Sequence, residues 1–508
     1  MTVRTRTCLF LLLYTLAVCL LFAGNVPLLD PDEPVYGETA KEMIATGDFL
    51  SPRIYGAYWY DKPPLFYWLE VLSFSLFGVS EWSARFPSAL CAAATVLYTY
   101  LAARRPFGEK TAALGAFILA SSLEMVLLAR SSVTDMALVL TLTVALFSFL
   151  RKEYIPAYIA CGFALLAKGP VGYGFPALIV ALWLILQKKF TFRPIMALHW
   201  YWGIPLAFLV GLPWYVYMTI HHGSAFVDTF LGYHNITRFV APEHAGQDKW
   251  WLYVPVLLAG FFPWAGTLPG ILGRIRKDWK NPAYLYLYVW AGFIFLFFSL
   301  SSTQLISYIL PMYPPLALLA AHYLLTLLEE GRHRLFFPIC HGVLFFIMAA
   351  ALLAAPLAPE PRSARWILAL FLAASALFSS YAFYKGRLKS FAAAGGISLL
   401  ALVTVVWTGY ALPVSEAFTS KAIAAELSET KRDETLPLYI DPFYRPASAF
   451  YENLYGKALP KLDRDKVIQG PAYVLVQKKL IAKWNSPEKD KWHLLWEKDT
   501  AALYQIEP

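Results

Sequence analysis

Residues 28–65 read LLDPDEPVYGETAKEMIATGDFLSPRIYGAYWYDKPPL, the first polar material after an apolar N-terminal run. The stretch holds Asp30, Asp32, Glu33, Glu38, Glu42, Asp48 and Asp61 against only Lys41, Arg53 and Lys62, in a chain whose formal net charge is +9. Its acidic clusters lie beside proline, as Asp30-Pro31-Asp32-Glu33-Pro34 and Asp61-Lys62-Pro63-Pro64. Proline fixes its own φ and restricts the residue before it, so these charges stand on stiff backbone. A solvated loop has no use for that stiffness, and a reactive site does.

Outward from this stretch the chain is apolar. Cys8 to Val26, after Arg4 and Arg6, is long enough to cross a bilayer and is followed by no small-x-small cleavage pattern, which predicts a retained anchor. On the other side Leu65 to Val79, with Glu70 at its centre, is short and predicts a helix lying at the membrane interface. Of the 508 residues 58% are hydrophobic and 15% charged, and mean hydropathy is +0.51; soluble globular chains are about one quarter charged. This composition describes a mainly α polytopic membrane protein. Cys8, Cys19, Cys91, Cys161 and Cys340 all fall in apolar segments, which predicts no disulfide and no cysteine metal site.

Apolar runs of spanning length predict about 13 transmembrane helices, at residues 8–26, 85–103, 111–130, 132–150, 155–168, 170–187, 203–220, 250–272, 282–300, 304–328, 335–355, 364–384 and 391–411. The fifth and sixth runs, parted by Lys168-Gly169-Pro170, read either as two short spans or as one kinked helix. With the N-terminus inside, the inner connections carry 19 Lys and Arg and the outer ones 10. The positive-inside bias therefore places the loop 27–84, the loop 221–249 and the C-terminal tail outside. Residues 413–508 contain 14 basic and 14 acidic residues, so the net charge belongs to the membrane part. It reports topology and implies no nucleic acid.

The domain boundary is expected at 412–413. Residues 1–412 form the membrane domain, and 413–508 read as a small α/β soluble domain on the outer face. Strands are predicted at Leu436–Ile440 and Ala472–Gln477 and in a hairpin over Trp492–Ile506 that turns at Lys498-Asp499-Thr500, with helices at 415–430 and 446–456. No catalytic motif stands in this tail.

The topology gathers four polar groups on the outer face. They are the 30–33 acids with Asp61-Lys62; the turn Arg130 to Asp135; the 221–249 loop with His221, His222, His234, Arg238, His244 and Lys249; and Ser299 to Pro311, which contains Tyr308. A charge so close to a bilayer is costly and is usually kept for a partner or a reaction. Blander roles stand beside each: an Arg130–Asp135 ion pair that only stabilises the turn, exposed histidines without metal-ligand spacing, and an interfacial tyrosine. Together the face offers carboxylates as bases and Lys62, Lys249 and Arg238 as anion binders, which suits an anionic lipid phosphate.

With these residues laid out, the chain resembles the GT-C membrane glycosyltransferases, and within the protein O-mannosyltransferase-like group the undecaprenyl-phosphate aminoarabinose transferase family. The matching pieces are Asp32-Glu33, Gly47-Asp48, Asp61-Lys62-Pro63-Pro64-Leu65 with Tyr67-Trp68, Arg130 with Asp135-Met136, Lys168-Gly169-Pro170, Arg238-Phe239 then His244, Pro263-Trp264, and Ser307-Tyr308-Ile309-Leu310-Pro311. The resemblance implies transfer of a sugar, with inversion, from a polyprenyl-phosphate donor to a lipid A, glycan or protein acceptor on the periplasmic face of a bacterial inner membrane. It implies Asp32 as the catalytic carboxylate, with Glu33 and Asp135 as further candidates. Lys62, Lys249 and Arg238 would bind the donor phosphate, Tyr308 and Arg130 would line the cavity, and Asp61 and His244 would share a divalent metal ion. The chain departs from the family at Val35, where Arg is common, at Asp61 in place of Glu, and at Gln304 in place of a basic residue.

Two other functions compete. A transporter or lipid flippase is expected to show internal repeats and ionisable residues near the midplane; no repeat is visible, and apart from Lys168 and Glu124 the charges gather at span ends. A structural partner in envelope assembly would have no need of a rigid carboxylate and lysine pair.

Overall fold

The computed structural model of the protein describes residues 2–230, 232, 249–331, 335–354, 362–410, 419–459, 468, 470–481, 484 and 492–507. They form two compact units. The first comprises Met1–Ala23, Tyr60–Leu69 and Arg85–Val406, the second Gly24–Trp59, Glu70–Ala84 and Trp407–Pro508.

The first unit is helical. Its helices are α1 (Val3–Leu20), the start of α3 (Leu65–Phe77), the larger part of α4 (Glu81–Phe107), α5 (Glu109–Ala120), α6 (Leu123–Ala129), α7 (Asp135–Arg151), α8 (Tyr154–Lys168), α9 (Val171–Leu186), α10 (Phe192–Met196), α11 (Trp200–Phe226), α12 (Tyr253–Gly260), α13 (Leu268–Asp278), α14 (Pro282–Ser299), α15 (Tyr313–Glu330), α16 (Phe336–Ala354), α17 (Arg362–Tyr384) and α18 (Leu388–Val405). Among the described residues seven helices are long and apolar enough to cross a membrane, or up to nine if each bent pair is one span. The protein is a multi-pass membrane protein. Two expected spans are bent pairs: the 111–130 run turns by 59° between α5 and α6, and the 250–272 run by 117° beyond α12. The 132–150, 155–168 and 170–187 runs fall on shorter helices, α7, α8 and α9, of 17, 15 and 16 residues.

Lys168-Gly169-Pro170 separates two helices. Gly169 takes φ +79°, and a Cβ on Gly172 would lie 2.2 Å from the carbonyl carbon of Ala164, so α9 folds back tightly along α8. The glycines permit this approach because no side chain intervenes. Aromatic residues pack the region ahead of α8: Trp214, Met218 and Phe226 of α11 with Leu166 form a core against which Tyr60, Leu65 and Trp68 rest.

The second unit joins the acidic stretch to the tail, where the sequence suggests separate domains. Its α2 (Asp32–Thr46) carries Asp32 and Glu33 in the first turn, where carboxylates suit the positive end of the helix dipole. Leu28, Ala40, Phe74, Ala84 and Phe450 share one core. Lys41 donates to the carbonyls of Ala449 at 2.9 Å and Phe450 at 3.0 Å. The tail itself is a five-stranded sheet in the order β4-β3-β5-β7-β6, from β3 (Leu438–Ile440), β4 (Lys457–Ala458), β5 (Ala472–Gln477), β6 (Trp492–Lys498) and β7 (Ala501–Ile506); β1 (Arg53–Ile54) and β2 (Ala57–Tyr58) make a separate hairpin. β3 runs parallel to β4 and β5, while β7 is antiparallel to β5 and β6. Central β5 is apolar on both faces, as a strand covered from both sides requires.

Candidate functional site

In the first unit, charge converges where α7 begins and α8 ends. Thr134, just before α7, donates its hydroxyl to Ala167 O at 2.7 Å, which pins the start of one helix to the end of the other. That brings Lys168 Nζ within 2.8 Å of Asp135 Oδ1, with side chains 17% and 12% exposed. The ammonium also lies 4.9 Å from the centre of the Tyr308 ring, a cation–π contact strengthened by burial. Asp61 stands close enough for its charge to act on Lys168, and its Oδ1 accepts from Lys62 Nζ at 2.9 Å. Two half-buried lysines thus face two carboxylates. Each ammonium carries three donors and gives one to its own acid, leaving donors for a further anion.

Behind this group is Glu124, 3% exposed, whose Oε2 accepts from the Tyr313 hydroxyl. A Cβ on Gly260 would come within 2.4 Å of that oxygen, so only glycine fits there. Asp135 acts electrostatically on Glu124.

In the second unit the acids divide by burial. Glu33 is 3% exposed and accepts from Leu29 N at 2.8 Å. Glu42 accepts from Tyr55 N and, at 3.0 Å, from Gly56 N, holding the turn of the β1–β2 hairpin. Asp48 accepts from Ser51 N at 3.0 Å and Arg53 at 3.2 Å, Glu38 pairs with Lys41 at 3.0 Å, and Asp30 accepts from Ser420 N. Burial drives the Asp30 carboxyl up to about 7, assisted by the charge of Glu33 and opposed by the Ser420 bonds. Of the seven acids in residues 28–65, only Asp32 is exposed. It is the first residue of α2, and the helix cap is Pro31, which makes no side-chain capping bond.

Residues 61–217 match the family dolichyl-phosphate-mannose-protein mannosyltransferase. The undecaprenyl phosphate-alpha-4-amino-4-deoxy-L-arabinose arabinosyl transferase of Aeromonas hydrophila is 32% identical over 344 residues, 64% of this chain and 61% of that one. The chain thus spans about three fifths of that relative's length. Arabinosyl transferase 2 of Sodalis glossinidius is 30% identical over 449 residues, 85% of this chain and 79% of that protein. The chain belongs to the undecaprenyl-phosphate aminoarabinose transferase family. Its fold is that of ArnT from Cupriavidus metallidurans, solved bound to undecaprenyl phosphate, with TM-score 0.78 and 21% identity over 98% of this chain and 97% of that one.

The residues that the likeness to the aminoarabinose transferases singles out are dispersed. Lys62, Asp61, Asp135 and Tyr308 lie in the first unit, and Asp32 and Glu33 in the second. Lys249 is exposed and 5.7 Å from the ring of Trp251. Arg238 and His244, with His234, lie outside the described residues. Arg130 is 1% exposed and donates to the carbonyls of Val18 at 2.7 Å, Cys19 at 3.2 Å and Leu21 at 2.8 Å, so it finishes the end of α1. The partner of Asp135 is Lys168, which the sequence marks as a charge at the end of an apolar run and as part of the Lys168-Gly169-Pro170 piece, with nothing to pair it with Asp135. Gln304 reaches back to Ser299 O at 3.2 Å, against the end of α14. Among the described residues no three His, Cys, Asp or Glu gather to hold a metal ion. The expected metal pair of Asp61 and His244 falls partly outside the described residues.

Proposed function

We propose that this chain is an integral-membrane glycosyltransferase that moves 4-amino-4-deoxy-L-arabinose, or a closely related sugar, from undecaprenyl phosphate to an acceptor such as lipid A. It works from a bacterial inner membrane, with thirteen spans, the N-terminus in the cytoplasm, and the acidic loop and tail in the periplasm. The observation that carries this reading is the 30% identity to a named transferase across 79% of that protein; the catalytic role that the resemblance implies for Asp32 falls on an exposed residue.

In the reaction the acceptor oxygen or nitrogen attacks the anomeric carbon from the face opposite the phosphate, and the bond from that carbon to the phosphate oxygen breaks with inversion. The electron pair leaves on undecaprenyl phosphate, so no acid is required. Asp32 takes the proton of the attacking hydroxyl or amine. Lys62 and Lys168 supply fixed positive charge to the phosphate as it gains negative charge, the most effective use of a preset cation in a dry site. The resemblance implies the same role for Arg238 and Lys249 of the 221–249 loop.

The test uses purified full-length protein in lipid nanodiscs, undecaprenyl-phosphate-linked aminoarabinose and extracted lipid A, with the product read by mass. A product heavier by one sugar residue is expected. Asp32→Asn is expected to keep the melting temperature and to cut turnover by about 10² to 10⁴. Absence of product with every envelope acceptor tried would overturn the reaction, and near-normal turnover in Asp32→Asn would remove Asp32 as the base.

A further inference from the structure

At the end of α7 remote from Asp135, the first unit contains a cavity of about 500 Å³ lined by Arg4, Arg104, Arg105, Arg151, Glu109 and Tyr98, with Leu101. Asp135 and Arg151 are the first and last residues of α7, so the two places are roughly 24 Å apart at 1.5 Å per residue. This is not the donor end of the helix. Four guanidinium groups face one carboxylate here, and that carboxylate is already committed: Glu109 accepts from Arg104 Nε at 2.5 Å and from the Tyr100 hydroxyl. Arg151 spends one nitrogen on Glu153 at 2.5 Å, while its buried Nε has no partner among the described residues. Arg4 and Arg105 make no ion pair among the described residues.

Helix electrostatics account for part of this crowding. Arg104, Arg105 and Arg151 lie in the last turns of α4 and α7, where cations are favoured. Arg4 lies in the first turn of α1, where a cation is disfavoured, and no acid stands in that turn to offset it. Four guanidinium groups gathered around one committed carboxylate suit an anion between them. One to two turns further along α1 and α5 is a second, apolar groove of about 400 Å³, lined among others by Phe10, Leu114 and Phe117. A charged chamber followed by an apolar groove along the same two helices has the layout of a phospholipid: phosphate first, acyl chain after. All four arginines belong to the connections that the positive-inside bias assigns to the cytoplasm, and basic pockets between spans at that face suit anionic headgroups.

We propose that this cavity binds the phosphate of an anionic phospholipid, drawn from the inner leaflet, with one acyl chain in the adjoining groove. The test is native mass spectrometry of the full-length protein in neutral detergent with added phosphatidylglycerol, cardiolipin or phosphatidylethanolamine. A parallel series measures melting with inorganic phosphate alone. The variant is Arg4→Gln with Arg105→Gln, chosen because neither arginine holds another side chain in an ion pair; its melting temperature without lipid reports that the fold is kept. The wild type is expected to retain phosphatidylglycerol or cardiolipin at least tenfold better than phosphatidylethanolamine, and the double variant to lose that preference while keeping sugar transfer. Equal retention of all three lipids by the wild type, or an unchanged preference in the variant, would overturn the proposal. Stabilisation by inorganic phosphate with no lipid preference would make the ligand a soluble phosphate and overturn the lipid assignment.

Discussion

The Lys168–Asp135 pair offers a quantitative test of the first unit. At 2.8 Å and an effective dielectric constant of about 20, the attraction is about 6 kcal/mol, and the cost of withdrawing two ions from water is of similar size. The pair is therefore near neutral as a whole and expensive to halve. Lys168→Met leaves Asp135 with 12% of its side chain exposed and no ammonium, which should destabilise by about 3–5 kcal/mol; Asp135→Leu strands the lysine at a similar cost. The double substitution should return to within about 1–2 kcal/mol of wild type, because an apolar pair of similar volume replaces the ions and the Thr134–Ala167 bond still joins α7 to α8. The assay is a four-protein cycle of unfolding midpoints in a denaturing-detergent titration, with sugar transfer measured on each. A stable double variant that has lost transfer would assign the pair to the reaction. Additive destabilisation, with a coupling below about 0.5 kcal/mol, would refute the claim that the two charges are energetically one unit.

Three other substitutions have distinct signatures. Lys62→Ala should raise the donor KM and lower kcat/KM by about 10², since a charge-assisted contact to phosphate is lost; unchanged donor kinetics would take Lys62 out of the donor site. For Asp30, whose carboxyl is raised from 3.8 to about 7 by burial, the folded protein keeps a proton that the unfolded chain sheds near pH 4. Stability from this group is thus fully present below about pH 4 and falls as pH rises to 7, by a total on the order of 4 kcal/mol, and melting of Asp30→Asn should be flatter over that window and higher at pH 8. Arg130→Met removes three hydrogen bonds to the end of α1 and should lower stability by about 2–4 kcal/mol without changing the donor KM of the protein that folds.

Much of the architecture was legible from periodicity, and its failures have a common cause. The Ala472–Gln477 run coincides with β5, and the hairpin turn falls at Asp499-Thr500, because short apolar and aromatic runs ended by polar turn residues report local backbone preference. Hydropathy reports depth in the membrane and is blind to direction, so the 59° bend after Ala120 and the 117° bend after Gly260 were read as straight spans. The same blindness hid the ion pair. Arg130 is five residues from Asp135 and Lys168 is 33 away, and nearness in sequence favoured the arginine. Packing of α8 against α7 decided for the lysine, and Arg130 was taken by the carbonyls of a helix more than a hundred residues upstream. The union of the acidic stretch with the tail was likewise out of reach, since it rests on contacts such as Lys41 to Ala449 that no local pattern records.

The acidic excess of residues 28–65 is explained by these contacts. Seven acids face three bases, yet the missing cations have been replaced largely by backbone amides: Leu29 N serves Glu33, Tyr55 N and Gly56 N serve Glu42, Leu50 N and Ser51 N serve Asp48, and Ser420 N serves Asp30. A carboxyl group held by one or two backbone N–H groups orders a turn or a helix start without a lysine. Glu38 and Asp61 have lysine partners. The stiffness first suspected from the prolines is thus built mainly by the acids themselves, and it is directed at one position. Asp32 stands at the mouth of α2 on backbone that Glu33 fixes from one side and Asp30 from the other, with its own carboxylate exposed. Glu33 could take over as base only by releasing Leu29 N, and Asp30 only by releasing Ser420 N. Either move would loosen the start of α2, so in the proposed reaction Glu33 and Asp30 are the residues that hold the segment carrying Asp32.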